Sequence, residues 1–86
     1  MNVVEKKYFT RLTVCDVNLS SKEAGRVIRE LKQNYDEGST PTGNGRAYLV
    51  EDGMIEHSMG PQPELTIKSP MRVGAERIAE KFNLPL

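Results

Sequence analysis

The stretch Arg46–Met59, RAYLVEDGMIEHSM, decides how this chain folds. Two β-like runs flank Asp52-Gly53. Asp-Gly between such runs marks a hairpin, because a type I′ turn needs positive φ at both central positions. A two-residue loop there sets Val50 opposite Ile55 and Tyr48 opposite His57. Tyr48, Val50, Ile55, His57 and Met59 then share one face, with Ala47, Leu49, Met54 and Glu56 on the other.

Upstream of the hairpin runs LSSKEAGRVIRELKQNYDEG. Ser20 and Glu23 form an S-x-x-E capping box, in which each side chain satisfies a backbone donor at a helix start. Ala24, Val27, Ile28, Leu31 and Tyr35 recur at helical period as one apolar stripe. Gly38 offers a left-handed stop, so a helix is expected over about 20–36. Before it, YFTRLTVC (residues 8–15) reads as a strand, with Tyr8, Thr10, Leu12 and Val14 on one face and Phe9, Arg11, Thr13 and Cys15 on the other.

After the GPQP break, ELTIKS reads as another short strand. SPMRVGAERIAEKFNLPL then gives a second helix, with Ser69 as N-cap, Pro70 at the first position and Met71, Ala75, Ile78, Ala79 and Phe82 as its stripe. Asn83 and Pro85 end it. The order is β-α-β-β-β-α: an α+β two-layer sandwich, with an antiparallel sheet and both helices on one face. A chain of 86 residues is read as one domain, 1–86, with a mobile loop at 38–46. From the first helix onward the order α-β-β-β-α is also that of double-stranded-RNA-binding domains. The basic cluster that such domains place at the start of the last helix is absent from SPMRVGAER, so the likeness is one of topology alone.

Twelve basic residues balance twelve acidic ones, which argues against a dedicated DNA packager but leaves room for a local basic face. A lone Cys15 cannot form an internal disulfide, and MNVVEKKYF lacks the apolar core of an export signal. The expected setting is soluble, reducing and cytoplasmic, and no membrane partner is expected.

Cys15 and His57 are the only residues of their kinds. They make a nucleophilic pair only if the first strand lies beside the hairpin. The bland alternatives are a small buried hydrophobe and a hydrogen-bonded core histidine. One His and one Cys do not make a metal site, and no cofactor is expected. Glu51, Asp52 and Glu56 cluster around the hairpin, where exposure favours solvation over acid–base chemistry. The reading is therefore of a protein that is not an enzyme.

Three contact surfaces remain. Lys22, Arg26, Arg29 and Gln33 fall at i, i+4, i+7 and i+11, a basic stripe about 16 Å long that points away from the apolar one. Beside Arg46, it suits the phosphates of RNA or an acidic protein. GSTPTGNGR, ending in Arg46, leaves a helix C-terminus and enters a strand. That reverses the order a phosphate-binding glycine loop needs, so it reads first as a connector and second as a nucleotide site in an oligomer. Leu49, Met54 and Ala47 are left over on the sheet face away from Tyr48, where they would meet a partner or a second copy. The leading expectation is a small binding protein acting by protein–protein contact, as an inhibitor or adaptor of a cytoplasmic partner. The alternatives are RNA binding or nucleotide binding.

Overall fold

The computed structural model describes residues 11–86. Tyr8, Phe9 and Thr10 of the expected first strand, and the apolar Val3 and Val4, lie outside the described residues. The elements are β1 (Thr13–Val17), α1 (Ser21–Asn34), β2 (Glu37–Ser39), β3 (Gly45–Val50), β4 (Gly53–Ser58), β5 (Leu65–Ser69) and α2 (Arg72–Lys81). The strands form one antiparallel sheet in the order β1-β5-β4-β3-β2. The expected β-α-β-β-β-α plan is present, with the short β2 added before the hairpin. Because β1 and β2 are the edges of the sheet among the described residues, α1 carries the chain across its whole described width.

Both helices pack on one face. Ala24, Val27 and Leu31 from α1 join Ala75, Ile78, Ala79 and Phe82 over Cys15, Val17, Tyr48, Val50, Ile55, Leu65 and Ile67. Half-buried Ile28 and Tyr35 complete the α1 stripe, and the Tyr35 ring tilts against Phe82 at 5.9 Å. Ser20 caps α1 as expected. Its hydroxyl accepts the Glu23 N–H at 3.3 Å and donates to Glu23 Oε1 at 3.1 Å. At the far end of α2, Asn83 takes φ 56° and the Leu84 N–H reaches the Ala79 carbonyl at 2.8 Å, the geometry of a left-handed C-terminal stop.

Three local expectations are corrected. The hairpin turns at Glu51-Asp52, pairing Val50 with Gly53, Leu49 with Met54 and Tyr48 with Ile55. The register slips by two residues, so every side chain keeps its expected face. Glu51 carries the positive φ of the turn, at 57°. Gly53 is required for another reason: a Cβ there would meet the Lys68 carbonyl oxygen at 2.5 Å and Ile78 Cδ1 at 2.7 Å. Met59 falls beyond β4 and is exposed. Gly38 is not a helix stop either, because it sits in β2 opposite Ala47. Finally, Ser69 does not cap α2. It is buried in β5 opposite Thr13, its hydroxyl accepts the Met71 N–H at 3.4 Å, and the helix begins at Arg72.

Candidate functional site

On α1, burial of Ala24, Val27 and Leu31 fixes the opposite side of the helix in water. Lys22, Arg26, Arg29 and Gln33 are all exposed there, and Lys32 is exposed on their flank. The ion pairs among the described residues join Arg46 to Glu37, Lys68 to Glu56, Arg72 to Glu76 and Lys81 to Glu51. None involves the α1 cations, so the stripe is a row of charges without an intramolecular carboxylate among the described residues. Glu23, engaged with Ser20, and Glu30 border it on one side.

Arg46, on β3, is differently placed. Its Nε lies 3.2 Å from Glu37 Oε1, and a terminal guanidinium nitrogen donates to the Gly45 carbonyl at 3.1 Å. The second Glu37 oxygen accepts the Tyr48 hydroxyl at 2.7 Å. The Tyr48 bond is the largest of the influences that hold the Glu37 carboxyl below its ordinary value. Partial burial opposes it, and the charges of Arg46 and Lys32 reinforce it. Burial, then the bond to Glu37, pushes the Tyr48 phenol up. Glu37 therefore pairs with Arg46 on β3, and its carboxyl also feels the charge of Lys32 on α1. No periodicity marked Glu37, Tyr48 or Lys32 as a unit. The cross-strand pairing of Glu37 with Tyr48 assembles them.

The glycine-rich loop narrows to a tight connection between β2 and β3. The Gly43 N–H reaches the Thr40 carbonyl at 2.9 Å with Gly43 at φ 77°, and the Thr40 and Thr42 hydroxyls lie 3.3 Å apart. Under it, on the sheet face away from the helices, lies a groove of about 350 Å³ with Thr42, Asn44, Ser58, Glu64 and Thr66 among its walls. Among the described residues its charged groups are Glu64 and the Glu56–Lys68 pair, at 3.0 Å. Two carboxylates against one lysine, among the described residues, do not favour a phosphate. Arg46, the cation expected to serve the loop, is turned to Glu37 instead. This is poor ground for a nucleotide.

The remaining candidates separate. Cys15 is in β1 and His57 in β4, with β5 between them, so the nucleophilic pair is not assembled. His57 is buried. Its Nδ1 donates to the Ser58 carbonyl at 2.9 Å and its ring stacks on Tyr48 at 5.8 Å, which makes it a packed core histidine. Glu51 is exposed and reaches Lys81 at 3.3 Å, while Glu56 pairs with Lys68. These carboxylates do not share a cleft. Among the described residues no His, Cys, Asp and Glu side chains group as metal ligands, and no helix is long and apolar enough to cross a membrane.

The expected patch of Leu49, Met54 and Ala47 is corrected in one respect. Ala47 and Met54 have no accessible surface and Leu49 is only half-buried. Met54 lies in register between Leu49 and Lys68, and the small Ala47 between Gly38 and Glu56. No protein-family model, curated protein or solved structure matches this chain.

Proposed function

We propose that this chain is a small non-enzymatic binding protein acting by protein–protein contact, as an inhibitor or adaptor of a cytoplasmic partner. Its contact surface is the face of α1 that carries Lys22, Arg26, Arg29 and Gln33. The observation that supports this reading is the row of exposed cations with no carboxylate partner among the described residues, on a helix whose other side is locked into the core. Complementary charge across such a face steers association and selects partners. Glu23 and Glu30 along its border, and an overall charge of zero, favour a protein surface of mixed sign over a phosphate backbone.

RNA is the second reading, favoured by the length of the stripe, which spans several phosphates. Fluorescence anisotropy with a poly-glutamate peptide and with a single-stranded RNA oligomer separates the two. The Arg26→Glu/Arg29→Glu variant is expected to lose peptide binding with its melting temperature unchanged. RNA bound more tightly than the peptide, with affinity falling steeply in salt, would replace the protein reading by the RNA one. If neither probe binds, or the double variant binds as well as the parent, the α1 face is not the contact surface.

A further inference from the structure

We infer that Gly25 is the crossing point of the α1 contact face, where an acidic helix of the partner protein packs with its backbone close to that of α1. Lys22, Arg29 and Lys32 then reach carboxylates on the flanks of that helix. This names the partner's chemistry at the surface proposed above and rests on that reading.

The first observation is that nothing inside the chain calls for glycine at this position. Gly25 lies in the interior of α1 (Ser21–Asn34), where glycine weakens a helix relative to alanine. Gly53 is held to glycine by the Lys68 carbonyl, and Gly43 by its positive φ. Gly25 has neither reason. Its φ is not positive, and a Cβ there would meet nothing within 4 Å beyond the helix backbone itself.

The second observation is the charge around it. At about 100° per residue, Gly25 lies about 20° from Lys32, about 40° from Arg29 and about 60° from Lys22 around the helix. Glu23 and Glu30 fall about 160° and about 140° away, on the other flank. All three cations are exposed, and none enters an ion pair among the described residues. Ile28, three residues on and half-buried, gives the notch one apolar border.

These features select a helix over a phosphate backbone. Packed helix axes stand about 8–10 Å apart, set by the side chains at the crossing, and glycine admits the short end of that range. A small apolar residue of the partner then sits against Gly25 and Ile28, with Asp or Glu three or four residues to either side. Phosphates would meet the tips of Lys and Arg, far from the backbone of Gly25, and would make no use of the notch.

Fluorescence anisotropy with two probes of equal charge tests the proposal: a stapled helical peptide with alanine along one stripe and glutamate on both flanks, and an unstructured poly-glutamate. The parent should bind the helical peptide more tightly. Gly25→Leu should weaken that binding roughly tenfold and leave poly-glutamate binding unchanged. Gly25→Ala should weaken it by a smaller factor while raising the melting temperature by roughly 2–8 °C, which separates lost binding from lost folding. If Gly25→Leu binds the helical peptide as the parent does while Arg26→Glu/Arg29→Glu loses it, α1 remains the contact face and the helix crossing at Gly25 is overturned. A parent that does not bind the helical peptide overturns it as well. So does RNA bound in preference, with an affinity that Gly25→Leu leaves unchanged.

Discussion

Replacing Tyr48 by Phe tests whether the Glu37 unit holds the β2 edge to the sheet. The ring of Tyr48 is fully buried and its hydroxyl donates to Glu37 at 2.7 Å, so the variant removes one bond and leaves the packing intact. A hydrogen bond to a charged group contributes about 1.5–3 kcal/mol net. The Glu37 side chain is 42% exposed, so water replaces part of the loss and the cost falls to about 1–1.5 kcal/mol. For a domain of this size that lowers the melting temperature by roughly 4–12 °C.

The pH dependence gives the sharper check. Folding holds the Glu37 carboxyl below its ordinary value of 4.5, chiefly through Tyr48. A carboxyl depressed by folding contributes stability that is complete above the unfolded value and lost as pH falls through the folded one. The gap between parent and Tyr48→Phe should therefore be constant at neutral pH and close progressively below about pH 4.5. Urea unfolding followed by circular dichroism measures it, with Glu37→Gln completing a double-mutant cycle. A gap that persists unchanged to the acid limit of folding, or a cycle with no coupling, would refute the argument.

At alkaline pH the same tyrosine acts with the opposite sign. Its phenol is raised above the ordinary value of 10.0, mainly by burial, so its contribution is complete below that value and lost as pH rises through it. Unfolding free energy should fall above about pH 10 in the parent and fall less in Tyr48→Phe; equal alkaline slopes would exclude Tyr48 as the cause. Gly53→Ala should destabilise by about 1–3 kcal/mol, since its Cβ meets the backbone oxygen of Lys68 at 2.5 Å. Gly43→Ala faces open space and should cost only the roughly 1 kcal/mol of a left-handed backbone, so thermal melts that reverse this order would contradict the placement of Gly53 in β4.

What was legible in the sequence was whatever local chemistry sets. The Ser20 cap and the stripe through Ala24, Val27 and Leu31 specify α1, and they place Lys22, Arg26, Arg29 and Gln33 in water by the same periodicity. Alternation sorted Tyr48 and Val50 from Ala47 and Leu49 correctly. What escaped was set by contacts distant in sequence. Gly53 looks like a turn glycine because Asp precedes it, yet the pressure on it comes from Lys68 and Ile78. β2 is Glu-Gly-Ser, a poor strand by composition, and is extended because it pairs with β3. Ser69 resembles a cap because Pro70 follows, but its pairing with Thr13 keeps it in the sheet. Burial of Ala47 and Met54 is likewise a tertiary fact, which no single-strand pattern reports.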